Sequence, residues 1–255
     1  MISNTAAYHF VTIEDPQSLA DTLFAAADAG GLRGSILVAG EGLNLFLAGA
    51  PAQVDAFYRE LHLDPRFADL RIKRSSSAHQ PFARLKVKVK DEIISFRRDD
   101  GQPLDYPRAP AVAPATVQRW LRQGHDDDGR PVVMLDTRNV QEIEYGTFKD
   151  ALVLPIARFT DLPDALAAHR ERLKESTVVS FCTGGIRCEK AALWMQNDGM
   201  DNVLQLDGGI LGYFEEVGGE GYEGRCFVFD ERIALDPQLQ PLVDEPLPEP
   251  KPSAF

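Results

Sequence analysis

The chain has 255 residues, 44% of them hydrophobic and 26% charged, and its formal net charge is −12. This is the composition of a globular protein with one large or two modest domains. No apolar run approaches the roughly 18–20 residues that span a bilayer. The first ten residues lack a secretory signal, and three cysteines fit a reducing cytosol better than a disulfide framework. We therefore expect a cytoplasmic protein without membrane association, whose acidic balance argues against nonspecific nucleic-acid binding.

Residues 1–98 predict a small α+β domain. Apolar patterning predicts strands at residues 7–12, 34–39, 44–48 and 70–74, and helices at residues 16–29 and 52–61. Pro16 stands at the start of the first helix and Gly30-Gly31 past its end, which is the usual asymmetry of helix termini. The order βαββαβ indicates a ferredoxin-like sandwich with both helices on one face of an antiparallel sheet.

Positive charge concentrates at the end of this domain. Residues 71–98 contain nine basic and two acidic side chains, a local charge of +7 in an acidic chain. Residues 84–90 alternate strictly, which predicts a strand with Leu85, Val87 and Val89 inward and the basic side chains outward. Such a face is either a solvated sheet surface or a contact for a phosphate backbone. The candidates for contact with a phosphate backbone are Lys73, Arg74, Arg84, Lys86, Lys88 and Lys90.

A second domain is predicted at residues 115–219. Residues 99–114, with four prolines, read as a semi-extended linker, and residues 126–128 as a solvated acidic turn. Strands at residues 132–135, 178–181 and 203–206 alternate with helices at residues 116–122, 162–173 and 210–217. This alternation indicates a parallel sheet that binds ligands at the carboxyl ends of its strands. Residues 220–255 form a C-terminal extension, for which we predict disorder from residue 239 onward.

A cysteine follows the strand at residues 178–181 and precedes an apolar-periodic helix. Cys182 therefore lies where backbone N–H groups and the positive end of a helix dipole converge. Gly184 and Gly185 allow the loop to curl around an anion, and Arg187 adds a positive charge. The residues from Thr183 through Ile186 to Arg187 thus predict an anion cradle around a catalytic thiolate. The alternative is a buried structural cysteine before an ordinary helix.

The spacing Cys182-x-x-x-x-Arg187 resembles the active loop of the rhodanese superfamily, in which the cysteine carries sulfur as a persulfide. The string CTGGIRCEKA at residues 182–191 resembles more narrowly the rhodanese-domain, oxygen-dependent tRNA uridine hydroxylases, which make 5-hydroxyuridine at the wobble position. Residues 39–44 (AGEGLN) and 84–93 (RLKVKVKDEI) are similar to the N-terminal domain of the same family. The resemblance implies a rhodanese-like α/β domain, tRNA as partner, molecular oxygen as co-substrate and Cys182 as the essential nucleophile.

The string Leu-Asp-Thr-Arg at residues 135–138, followed by Glu142, resembles the scaffold motif of rhodanese domains. We interpret Asp136, Arg138 and Glu142 as scaffold residues, and we expect Arg138 and Glu142 to pair because they are four positions apart. Cys188 is either a resolving thiol for Cys182 or a small residue in the first helical turn.

The sequence offers no case for a metal or an organic cofactor, since the five histidines are scattered without ligand spacing. The reductant or sulfur donor and the oligomeric state are not predicted. Two other functions stay open, a plain sulfurtransferase that carries a persulfide and a noncatalytic RNA-binding module. The intact Cys182 loop argues against the RNA-binding module.

Overall fold

The computed structural model describes residues 1–247, and its first sheet has five strands in the order β4-β1-β3-β2-β5. These strands are β1 (Ile2–Phe10), β2 (Arg33–Ala39), β3 (Gly42–Gly49), β4 (Ile72–Ser77) and β5 (Leu85–Val89), joined by helices α1 (Pro16–Ala29) and α2 (Pro51–Leu61). The first four strands are antiparallel, and β5 adds to the edge parallel to β2. The predicted ferredoxin-like order is therefore confirmed, with an extra strand.

Helix α1 has the predicted bounds because both of its ends are specified locally. The Asp15 carboxylate accepts a hydrogen bond from the Ser18 N–H at 3.0 Å, and Pro16 needs no hydrogen-bond partner in the first turn. Beyond the helix, Gly31 adopts a φ of +64° that favours glycine. The helix packs Ala20, Leu23 and Ala27 against the sheet, in the core of this domain.

Strand β5 differs in one respect from its prediction. Leu85 and Val87 pack against the apolar core of the N-terminal domain, but Val89 is 40% exposed. The core does not extend along the edge strand as far as Val89. The alternation therefore indicated the correct face for only part of the strand, and Lys86, Lys88 and Lys90 are exposed as expected.

The second sheet is parallel, in the strand order β6-β11-β10-β7-β9. Its strands are β6 (Ala111–Val112), β7 (Val132–Asp136), β9 (Leu152–Val153), β10 (Thr177–Phe181) and β11 (Val203–Leu206). The helices of this domain are α3 (Pro114–Gln123), α4 (Val140–Ile143), α5 (Leu162–Ala167), α6 (Arg170–Leu173), α7 (Ile186–Asn197) and α8 (Gly209–Val217). The predicted helix at residues 162–173 is two short helices. Strand β10 is central, so the loop that follows it lies in the middle of the sheet's carboxyl edge.

Residues after α8 extend the second domain. Strand β12 (Tyr222–Gly224) pairs with β8 (Gly146–Phe148), and β13 (Cys226–Phe227) pairs with β14 (Ala234–Leu235). Within the segment for which we predict disorder, the Leu242 N–H donates to the Ala234 carbonyl oxygen at 2.7 Å, and the Asp244 carboxylate accepts hydrogen bonds from two N-terminal-domain amides. Residues 248–255 of that segment lie outside the described residues.

Two other segments are more integrated than the sequence suggests. Part of the proline-rich stretch at residues 99–114 forms strand β6 of the second sheet. Asp126 is buried, contrary to the solvated turn that we predicted, because its carboxylate accepts hydrogen bonds from the Thr177 hydroxyl and two backbone amides. Among residues 1–247, no helix is long and apolar enough to cross a membrane.

The two domains are joined through α7. Lys190 is 0% exposed, and its ammonium donates to Glu41 and Glu92 of the N-terminal domain, each at 2.8 Å. The Tyr8 hydroxyl donates to the Glu189 carboxylate at 2.8 Å. The helix that follows the Cys182 loop is therefore held by charged and polar groups of the other domain.

Candidate active site around Cys182

The cysteine loop connects β10 to α7 and is held from two sides. The amides of Ile210 and Leu211, at the start of α8, donate to the carbonyl oxygens of Cys182 and Thr183 at 2.9 and 3.0 Å. On the opposite side, a Cβ at Gly185 would lie 2.9 Å from the Tyr8 hydroxyl oxygen, and the φ of Gly185 is +104°. Glycine is therefore required at this position by both backbone conformation and space.

The Cys182 thiol is buried and has donors around its sulfur. The Gly185 N–H donates to Sγ at 3.2 Å, and Cys188 Sγ lies 3.9 Å from Cys182 Sγ. Burial alone would raise the pKa of Cys182, but the contact with Cys188, the charge of Arg187 and the Gly185 amide together hold the pKa well below its ordinary value. The geometry thus favours a thiolate at neutral pH, which is the nucleophilic form of cysteine.

The pKa of Cys188 is shifted in the opposite direction. Its thiol donates to the Gly185 carbonyl oxygen at 3.0 Å, and burial together with the adjacent Cys182 raises its pKa. A disulfide between the two cysteines would require their sulfur atoms to move from 3.9 Å to about 2.05 Å apart. The proximity is compatible with a resolving role, which stays a prediction.

Arg187 is held by Glu142 in a two-point contact. Its guanidinium nitrogens lie 2.5 and 2.6 Å from the two carboxylate oxygens, and both side chains are buried. Burial alone would lower the pKa of Arg187, but the Glu142 carboxylate has the larger effect and raises this pKa. The neighbouring Ile186 packs with Ala39 and Ile93 of the N-terminal domain. Arg187 is thus a permanent cation beside the Cys182 loop.

The predicted pair between Arg138 and Glu142 is wrong. Helix α4 begins at Val140, so Arg138 precedes the helix and the four-residue spacing does not bring the two side chains together. Arg138 instead pairs with Asp136, with Nε–Oδ1 and Nη2–Oδ2 distances of 2.9 and 2.7 Å, and both residues are fully buried. Arg138 also donates to the Gly146 carbonyl oxygen at 2.7 Å. This pair ties the end of β7 to β8, and the scaffold interpretation stays a prediction.

A cavity of about 590 Å³ lies between the two domains and reaches the cysteine loop. The rhodanese-domain side contributes the loop residues Cys182, Thr183, Gly184, Ile186 and Arg187. The N-terminal side includes Tyr8 and Lys73, and the C-terminal extension contributes Phe229. Sequence reasoning missed Tyr8 and Phe229, because no local pattern connects them with a loop so distant along the chain.

The predicted tRNA-contacting residues differ in their surroundings. Lys73 faces the cavity, where its ammonium lies 5.5 Å from the centre of the Tyr8 ring, and Arg74 pairs with Asp55 at 2.9 Å. Arg84, Lys86 and Lys88 are exposed on or beside β5. Lys90 borders the cavity together with Arg97 and Arg158, which sequence reasoning did not select. We call Lys90, Arg97 and Arg158 the mouth cations.

In the part of the chain that the structure describes, no three His, Cys, Asp or Glu side chains are grouped to hold a metal ion. Around Cys182, the thiolate can act as a nucleophile, and the Gly185 amide with the Arg187 guanidinium can stabilise a negative charge.

Comparisons with protein-family models identify the two domains of the chain. Residues 2–93 match the family model of the UPF0176 acylphosphatase like domain, and residues 117–216 match that of the rhodanese-like domain. The chain thus combines an acylphosphatase-like domain with a rhodanese-like domain, as the ferredoxin-like order and the cysteine loop indicated.

Full-length relatives then give the family. The chain is 72% identical to a tRNA uridine(34) hydroxylase of Xanthomonas euvesicatoria pv. vesicatoria, over 96% of this chain and 98% of that protein. It is 70% identical to the enzyme of the same name from Xanthomonas axonopodis pv. citri, with the same coverage, and 64% identical to that of Xylella fastidiosa, over 96% and 95%. The chain belongs to the tRNA uridine(34) hydroxylase family, which confirms the resemblance seen in the sequence.

Proposed function

We propose that this protein hydroxylates the uridine at position 34 of tRNA, with Cys182 as its essential residue. The observation that carries the proposal is a cysteine of lowered pKa in a cavity between two domains, in a chain whose full-length relatives bear that name. A tRNA substrate is consistent with a cytoplasmic location. A plain sulfurtransferase needs only a small-molecule acceptor and no cationic cavity mouth, so the site favours this alternative less.

We propose 5-hydroxyuridine as the product and molecular oxygen as the co-substrate. In that reaction the C5–H bond of uracil is replaced by C5–OH, and the second oxygen atom leaves as water after taking up two electrons from an external reductant and two protons. The thiolate of Cys182 is the nucleophile of the site, and Arg187 with the Gly185 amide stabilises its negative charge. The alternative is that the same sulfur atom carries a persulfide during turnover.

The test of activity is mass spectrometry of tRNA nucleosides from a strain that lacks the gene. Wild-type protein should restore 5-hydroxyuridine, and Cys182→Ser should not, because a hydroxyl does not ionise at neutral pH. Cys226→Ser is the matched control, since Cys226 is a buried cysteine that does not line the cavity. With ¹⁸O₂, the product should gain one heavy oxygen atom. Full product from Cys182→Ser would refute the role of Cys182, and product oxygen from water would refute oxygen as co-substrate.

The tRNA contact is proposed to run from the mouth cations along β5. Each phosphate contact contributes about −0.7 to −0.9 to the slope of log affinity against log salt concentration. Two variants that each remove three charges separate the surfaces, Lys90→Gln/Arg97→Gln/Arg158→Gln and Arg84→Gln/Lys86→Gln/Lys88→Gln. Either variant should flatten the slope by about 2 to 3 if all three residues contact phosphates. Wild-type slopes in both variants would remove these surfaces from tRNA binding.

A further inference from the structure

Phe229 is an aromatic side chain that the fold leaves unburied beside the reactive cysteine. Its exposed fraction of 57% is the highest among the phenylalanine, tyrosine and tryptophan side chains of residues 1–247. The ring lines the same interdomain cavity as Cys182 and Arg187. A large apolar ring gains free energy by leaving water, so at this place the ring is available to a ligand that enters the cavity and covers it.

The ring is held in place although it is exposed. The Phe227 ring meets it edge-on, with centroids 5.1 Å apart, and the Arg187 guanidinium lies 5.9 Å from its centroid. Arg187 is itself held by Glu142. A held ring loses little conformational entropy when a ligand stacks on it.

The loop that carries Phe229 is closed on itself and fastened to the N-terminal domain. The Val228 N–H donates to the Ile233 carbonyl oxygen at 2.9 Å, which closes the turn. Arg232 pairs with Asp230 at 2.6 Å within the turn and donates to the Ser75 hydroxyl of β4 at 2.7 Å. The turn therefore presents the ring at a defined position between the cysteine loop and the N-terminal domain.

The cavity has the size and chemistry for one nucleotide. Its volume of about 590 Å³ is within the range of roughly 300–1,000 Å³ that small-molecule sites have. Cys182 lines the cavity but is 0% exposed, so a base must enter the cavity to approach its sulfur atom. Enzymes that act on a base commonly turn the nucleotide out of its stack and hold it against an aromatic side chain. The mouth cations provide positive charge for the flanking phosphates.

We propose that Phe229 is the stacking platform for the uracil of the target nucleotide once that nucleotide has turned into the interdomain cavity. The proposal rests on the proposed function and adds a residue that binds the base. Phe229 is supplied by the C-terminal extension, so this extension is part of the substrate site. A base stacked on Phe229 lies in the cavity that Cys182 and Lys73 also line.

The experiment compares two RNA hairpins that carry the anticodon loop, one with uridine at position 34 and one with an abasic nucleotide there. Stacking of one base on an aromatic ring contributes about 1–3 kcal/mol, or about 5- to 150-fold in affinity. Wild-type protein should prefer the uridine hairpin by about tenfold or more. Phe229→Ala should bind both hairpins as wild type binds the abasic one, and Phe229→Trp should keep the preference. Phe24→Ala removes another exposed phenylalanine, which lies on α1 outside the cavity, and should change nothing.

A second measurement guards against a misfolded variant. Phe229→Ala should keep the free energy of unfolding of wild type to within about 1 kcal/mol, because the ring is mostly exposed, and this shows that the fold is intact. The proposal is overturned if Phe229→Ala keeps the preference for uridine, or if it weakens both hairpins equally. It is also overturned if wild type binds both hairpins equally. If wild type binds both hairpins equally, hydroxylated product from intact tRNA would still support the proposed function. Conversely, a preference for the uridine hairpin without hydroxylated product would refute the proposed function and leave the stacking site standing.

Discussion

Removing either partner of the buried pair between Glu142 and Arg187 should destabilise the protein strongly, and the costs of the two single changes should not add. In Glu142→Gln, the guanidinium of Arg187 stays buried, at 5% exposure, without the carboxylate that lies 2.5 and 2.6 Å away. Removing one partner of a buried ion pair costs about 3–5 kcal/mol, whereas an exposed pair contributes about 1 kcal/mol or less. At about 2–4 °C per kcal/mol, Tm should fall by roughly 6–20 °C.

The assay is thermal and urea unfolding of Glu142→Gln, Arg187→Met and the double variant. The double variant should be more stable than the sum of the two single changes predicts, by about 0.5–3 kcal/mol, because it leaves neither charge buried alone. It should nevertheless lose the thiolate character of Cys182, since Arg187 helps to lower the pKa of that thiol. Single variants that each cost less than about 1 kcal/mol would refute the reasoning and place the pair with solvated ion pairs.

Three further predictions concern the cysteines and the domain contact. Cys182 should be alkylated by iodoacetamide at pH 7 before Cys226, because the pKa of Cys182 is lowered whereas burial raises that of Cys226 to about 12; peptide mass spectrometry showing Cys226 modified first would contradict this. Cys188→Ala should move the pH midpoint of Cys182 alkylation upward, because a contact that favours the thiolate is lost. Full turnover by this variant would exclude an obligatory resolving thiol. Lys190→Met should split the calorimetric unfolding transition in two, because it leaves two carboxylates of the N-terminal domain without their shared cation; a single transition at the wild-type temperature would show that the domains are coupled elsewhere.

The features that could be predicted from the sequence are those with local causes. The bounds of α1 follow from a capping aspartate, a proline and two glycines, and the strand, loop and helix around Cys182 follow from apolar periodicity and glycine placement. Helical spacing predicts a pair between Arg138 and Glu142, and this prediction is wrong because α4 begins only at Val140, after Arg138. Lys190 reads as an ordinary helix-surface lysine, and only the docking of another domain buries it. Tyr8 meets Glu189 across 181 positions, which no local pattern records.

The N-terminal domain changes what a rhodanese-like loop can accept. Tyr8 contacts α7 through Glu189 and stands against Gly185, so it closes one side of the loop that surrounds the thiol. Lys73 adds an amino group to the cavity. Burial holds the pKa of Lys73 below its ordinary value, although the nearby Cys182 acts in the opposite direction. A small sulfur acceptor would need neither the second domain nor a cavity of this size. A nucleotide that turns out of an RNA loop toward a thiolate is larger. It can contact the residues that both domains contribute to the cavity. The position of Cys182 between two domains is therefore the structural reason to favour an RNA base over a small anion as the substrate.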